Sequence, residues 1–141
     1  MGKRRRAAPP FVGLGHLRLF FLPQDWEAGV QFYTGMLRIP LLEKNEDRGY
    51  AVGLLAKNST LSIERVDPGD PSETALAGRF VGVSMIVRDL RKAWKLLTEQ
   101  GVAFDGPPQV QAWGGLLNQF RDPGGNVLTL LQYPSRKGKK S

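Results

Sequence analysis

Residues 80–97 read Phe-Val-Gly-Val-Ser-Met-Ile-Val-Arg-Asp-Leu-Arg-Lys-Ala-Trp-Lys-Leu-Leu, and they decide the fold. Phe80 to Val87 is β-branched and apolar enough to predict a strand. Asp89 is an N-cap residue, and Leu90, Ala93, Trp94 and Leu97 form a helical stripe behind it. Gly101 is placed to close that helix in the left-handed conformation. Working outward, the same order stands upstream. Residues 14–22, Leu-Gly-His-Leu-Arg-Leu-Phe-Phe-Leu, alternate: Leu17 and Leu19 share one face, and His16, Arg18 and Phe20 share the other. Pro23 ends the strand. Asp25 reads as an N-cap before Val30, Tyr33 and Leu37, which fall near helical spacing.

Three strands are predicted after each helix. In the first half they are Ile39 to Glu43, Tyr50 to Leu55 and Thr60 to Val66. In the second they are Val102 to Phe104, Gly115 to Phe120 and Asn126 to Leu131. Asp122-Pro123-Gly124-Gly125-Asn126 supplies the last turn. Thr60-Leu61-Ser62-Ile63 is matched by Val127-Leu128-Thr129-Leu130, an offset of 67 residues. The chain is thus an internal repeat. A basic disordered tail is expected over 1–12, a first βαβββ module over 13–66, and a Pro/Gly linker over 67–78. A second module is expected over 79–134 and a basic tail over 135–141. Either half alone buries too little surface to be comfortable. The fold class is therefore α+β, with two modules forming a U-shaped mixed sheet around a cleft and helices on the outer faces.

The 141 residues carry 20 Lys+Arg against 13 Asp+Glu, a net charge of +7. Eight of the basic residues, Lys3 to Arg6 with Arg136, Lys137, Lys139 and Lys140, lie in the two tails. The body keeps 12 basic against 13 acidic residues and is close to neutral. The tails suggest phosphate-backbone binding as one reading, but no aromatic residue interrupts them to stack on bases, so a solubilising role is preferred. Cysteine is absent, which excludes disulfides, thiolate metal sites and Cys nucleophiles. No apolar run approaches the length of a membrane span. Pro9 and Pro10 interrupt what would be a signal peptide's apolar region. A cytoplasmic location is the expectation. Gly13-Leu14-Gly15 precedes a strand and is not a phosphate loop, and neither Ser62 nor Ser84 has a nucleophile-elbow setting.

Asp25 followed by Phe32-Tyr33 and Met36-Leu37, Val87-Arg88-Asp89-Leu90 with Gly101-Val102, and Trp113-Gly114 followed by Phe120 to Asn126 occur in this order. On these motifs the chain resembles the vicinal oxygen chelate superfamily, which includes glyoxalase I, bleomycin-resistance proteins and extradiol dioxygenases. The resemblance covers roughly residues 14–133. It implies paired modules around a ligand site, commonly in a homodimer. Metal-dependent members carry ligands at four inward strand positions. Carried over one by one, these fall on Arg18 (or His16, if Leu22-Pro23 is an insertion), Ser62, Gly82 and Thr129. Members that bind metal usually have His, Gln or Glu there. A divalent site wants about three protein ligands, and only His16 and Glu64 could contribute. The expectation is no metal cofactor.

His16 and Glu64 remain the tentative catalytic candidates. An imidazole can act as a general base near neutrality, and a carboxylate can do so if burial raises its pKa; each also has a plain reading, as a hydrogen-bonded strand residue or an ion-pair partner. Arg18 on an inward face needs an anion, either Glu64 across the cleft or a ligand carboxylate or phosphate. Phe20, Ser62 and Thr129 share the inward parity as ligand contacts. Trp113, in Gln111-Ala112-Trp113-Gly114-Gly115 between predicted strands, suits stacking on a planar ligand or a dimer contact. Arg121 is a ligand clamp or a surface residue. The leading expectation is a glyoxalase/bleomycin-resistance-like protein holding a small planar or anionic molecule without a conventional metal centre. A metal-dependent lyase or dioxygenase using His16 and Glu64 is the alternative, and nucleic-acid association through the tails is a second alternative.

Overall fold

The computed structural model describes residues 7–135. The cationic clusters of both tails lie outside the described residues. The first module runs β1 (His16–Phe21), α1 (Pro23–Gln31), a π-helical turn (Phe32–Met36), β2 (Leu41–Asn45), β3 (Tyr50–Ala56) and β4 (Ser59–Arg65). The second runs β5 (Phe80–Ile86), α3 (Leu90–Glu99), β6 (Ala103–Phe104), β7 (Gln109–Val110), β8 (Leu116–Arg121) and β9 (Val127–Gln132), after a short helix α2 (Pro71–Thr74). The strands form two mixed sheets, β1-β4-β3-β2 and β5-β9-β8-β6, with β7 also paired to β8. In each sheet the module's first strand lies parallel to its last.

Three local readings need correcting. The N-cap of α1 is Leu22, with Pro23 in the first helical position and Asp25 inside the first turn. Proline has no N–H to satisfy and its φ suits a helix start, so it outcompetes Asp25 for the boundary. Asp89 does cap α3, accepting from Lys92 N, and Gly101 closes it at φ +100. The linker is not featureless, because Asp70 accepts from Ser72 N and caps α2. The second module's outer strand is broken into β6 and β7; Gly106, Pro107 and Pro108 lie between them, and a proline cannot donate to a ladder.

One core spans both modules. Leu19, Phe21, Leu61, Ile63 and Ala51 of the first sheet join Leu116, Phe120, Leu128 and Leu130 of the second, with Trp26, Val30 and Leu90 from the helices. The π-helical turn carries Phe32 to within 5.8 Å of Phe120, ring centre to ring centre, and the Tyr33 hydroxyl donates to Asp122 Oδ2 at 2.8 Å. At the seam, the Phe21 ring fits between two glycines. A Cβ on Gly29 would come within 2.5 Å of it and one on Gly124 within 2.6 Å. Asn126 ties three segments together. Its Oδ1 accepts from Gly78 N and Arg79 N, and its Nδ2 donates to Phe20 O and Asp122 Oδ2.

Candidate functional site

The parallel register of β1 on β4 sets His16 beside Thr60, Arg18 beside Ser62 and Phe20 beside Glu64. Paired residues share a sheet face, so these six lie together on the face opposite Leu19, Phe21, Leu61 and Ile63. Glu64 therefore stands on the strand next to Arg18, not across the cleft. The two form a bidentate pair, with Nε and Nη2 each 2.7 Å from a carboxylate oxygen. Ser62 Oγ donates to the same carboxylate at 2.9 Å. These bonds, Arg18's first, hold the Glu64 pKa below its ordinary value against partial burial. The Arg18 guanidinium also lies 5.1 Å from the centre of the Phe20 ring.

His16 Nδ1 lies 2.6 Å from Thr60 Oγ1, and Thr60 Oγ1 donates to Gly15 O at 3.0 Å. The direction of the His16–Thr60 bond follows the imidazole tautomer. His16, Ser62 and Glu64 line a shallow groove of about 470 Å³ with Glu43, Arg48 and Tyr50. The Tyr50 hydroxyl donates to Glu43 Oε2 at 2.6 Å there.

A second cavity lies between the modules. It encloses about 510 Å³ and is bounded by β1 and the β3–β4 hairpin on one side and by β5 on the other. Its walls are mostly apolar, with Leu14, Leu17, Leu55, Val83, Met85 and Ile86. His16, Thr60 and Ser84 supply polar groups. Every residue from Val81 to Ile86 borders it, because the β5–β9 register slips between Phe80 and Ser84. Four residues of β5 span two of β9, which bows β5 at Gly82. A Cβ built on Gly82 would meet no atom within 4 Å. This volume falls within the range that small-molecule sites occupy.

A model of the Glyoxalase/Bleomycin resistance protein/Dioxygenase superfamily matches residues 13–130. The chain belongs to this superfamily. Among solved structures, it is 27% identical to TnmS3, an antibiotic binding protein from Streptomyces sp. CB03234, over 89% of this chain and all of that one, with a TM-score of 0.65. A glyoxalase/bleomycin resistance protein/dioxygenase superfamily member from Sphaerobacter thermophilus is 24% identical over 84% of this chain and 97% of that chain, with a TM-score of 0.64. A lactoylglutathione lyase from Agrobacterium tumefaciens shares the fold at 14% identity, covering 89% and 95% of the two chains, with a TM-score of 0.63. No curated protein matches the chain.

The side chains at the superfamily's metal positions do not fit a divalent centre. Arg18, or His16 in the alternative register, stands at one of them; a guanidinium cannot ligate a cation and one imidazole is a single ligand. Gly82 has no side chain, and Ser62 and Thr129 are neutral hydroxyls that are poor ligands without carboxylate company. Glu64 is held by Arg18 and Ser62. Among the described residues, no group of three or more His, Asp or Glu side chains could hold a metal ion.

The remaining ligand candidates are engaged within the second module. The Trp113 ring lies 6.0 Å from that of Tyr133, and Arg121 stands 3.7 Å from Asp105. Thr129 is buried beside Ser84 and Gln119. The structure thus gathers His16, Arg18, Phe20, Ser62 and Glu64, and ties Trp113 and Arg121 elsewhere. The sequence reading missed the apolar cavity wall of Leu17, Leu55, Val83 and Met85. Strand alternation assigns such residues to a core, and they do pack against it, but their outer ends also border the cavity. Thr60 shares parity with Ser62, and that signal could have found it.

Proposed function

We propose that this chain binds and sequesters a small, largely apolar molecule in the cavity between the modules, without catalysis at a metal. The observation that carries this reading is the 510 Å³ apolar cavity bordered by both modules. His16, Thr60 and Ser84 would orient the ligand's few polar atoms. The antibiotic binding named for TnmS3 supports the same class of function. Chemistry at Glu64 is disfavoured by the direction of its pKa, because a carboxylate held low by a guanidinium is a weak base. Arg18 is neutralised by the same pair, so an anionic group on the ligand is not required. Leu54 and Phe80, exposed on β3 and β5, support a homodimer that covers them.

The test is titration with 8-anilinonaphthalene-1-sulfonate, an aromatic fluorophore whose one charged group is a sulfonate. Saturable binding at one site per chain is expected, and it should be lost in Gly82→Phe, whose ring would enter the cavity. Binding that survives Gly82→Phe would sink the reading. So would thermal stabilisation seen only with Zn, Ni, Fe or Mn ions.

A further inference from the structure

The segment before β1 is apolar and uncovered. Phe11 is 81% exposed, and Val12 and Leu14 are essentially wholly so. Residues 7–15 have no helix or strand, so no ladder fixes them in place. Single exposed apolar residues are ordinary, but three within four positions of an irregular segment are a patch that calls for a cover. The segment also leaves the fold at one particular place. Leu14, Gly15 and His16 all border the inter-module cavity, so Phe11 and Val12 are attached two to three residues from its rim. A residue of extended chain spans roughly 3.3–3.6 Å. Phe11 therefore needs no rearrangement of β1 to reach the opening.

The joint permits such a swing. Gly13 sits at φ +152, a conformation that L side chains rarely adopt, and a Cβ on Gly13 or Gly15 would meet no atom within 4 Å. Two glycines on either side of Leu14 give the segment freedom in both directions. The other wall of the cavity is β5, paired with β9 along one edge only. An edge strand beside an apolar opening is a surface that proteins ordinarily cover.

We propose that residues 9–14 act as a strap that closes over the inter-module cavity when a ligand fills it, with Phe11 and Val12 seated against the ligand and the rim. This rests on the ligand reading above. The strap adds apolar contact to the bound state only, so it acts on ligand retention and not on folding.

The full chain is compared with Phe11→Ser/Val12→Ser, again using 8-anilinonaphthalene-1-sulfonate. Both side chains are exposed, so the thermal midpoint without ligand should not move. The Kd should rise about tenfold, in line with partial burial of a Phe and a Val on closure, with most of the change in the off-rate. Val110→Ser, at another exposed apolar residue, on β7, should leave the Kd unchanged. Chymotrypsin cleavage after Phe11 should slow when the fluorophore saturates the unaltered chain. An unchanged or tighter Kd in the double variant, or cleavage indifferent to the fluorophore, overturns the strap alone. A failure of the unaltered chain to bind the fluorophore overturns both the strap and the ligand reading.

Discussion

Arg18 and Glu64 hold each other on neighbouring strands through two hydrogen bonds of 2.7 Å. The Arg18 side chain is 58% exposed and that of Glu64 is 22% exposed, so the pair sits at the surface of the open face. Its stabilising effect is that of a well-formed exposed pair, about 1 kcal/mol or less. Glu64→Gln should cost roughly that at neutral pH. The folded-state pKa of Glu64 is lowered. Its contribution is therefore present above the unfolded value, near 4.3, and is lost as pH falls through the folded value. The gap in thermal midpoint between Glu64→Gln and the unaltered chain should be present at pH 7 and close toward pH 3. A gap that widens in acid would show that the pair does not set the carboxylate's ionisation.

Asp122 as a whole responds to pH in the opposite sense, while the bond it receives from Tyr33 follows the same sense as the Arg18–Glu64 pair. Burial raises the Asp122 pKa, and the bonds from Tyr33 and Asn126 pull it back down. A raised carboxylate contributes stability below its unfolded pKa, near 3.9, and loses it as pH rises through the folded value. Tyr33→Phe removes one bond that supports the ionised form. It should cost about 1–2 kcal/mol at pH 7. The cost should shrink in acid, where the carboxyl is neutral. Urea melts at pH 7 and pH 3 distinguish this from a uniform packing loss.

Asn126 is 1% exposed and its side chain joins β1, the end of the linker and the 122–126 turn through four hydrogen bonds. Asn126→Ala leaves part-buried groups at Gly78, Arg79 and Phe20 and the buried Asp122 carboxylate each short of a partner. The expected loss is about 3 kcal/mol or more, read by denaturant unfolding. Asn126→Asp keeps Oδ1 but sets a second carboxylate against Asp122, and it should not rescue stability.

The repeat was legible because strand alternation and helix caps are local signals. Asp89 and Gly101 act where their side-chain chemistry directs. Asp25 does not, because Pro23 competes for the same boundary two residues earlier. The gathering of His16, Arg18, Ser62 and Glu64 was also legible, since period-2 parity fixes a sheet face. Their strand adjacency was not, because parallel pairing of β1 with β4 is a long-range choice. Trp113 and Arg121 were drawn toward the site by residue type, while Tyr133 and Asp105, their partners, lie close by in the second module. The cavity itself arises from a register slip of β5 on β9, which no local pattern in residues 80–86 announces.

The contact of Phe21 with Gly29 gives the sharpest steric test of how the modules meet. Gly29 is buried in α1, where alanine would ordinarily raise helix stability by roughly 0.5–1 kcal/mol. Here a Cβ would lie 2.5–2.9 Å from three carbons of the Phe21 ring. The ring cannot retreat, because Gly124 of the neighbouring module approaches within similar range on a Cβ-based measure. Overpacking costs about 1–3 kcal/mol, which exceeds the propensity gain. Gly29→Ala should therefore lower the thermal midpoint, and Phe21→Leu in the same chain should recover part of the loss by removing ring atoms. Gly35→Ala is the control, because a Cβ there would approach only Gln31 Oε1, at 3.8 Å. If Gly29→Ala were as stable as Gly35→Ala, the ring would not be clasped at the seam, and the two modules would be joined chiefly by the Asn126 and Tyr33 hydrogen bonds.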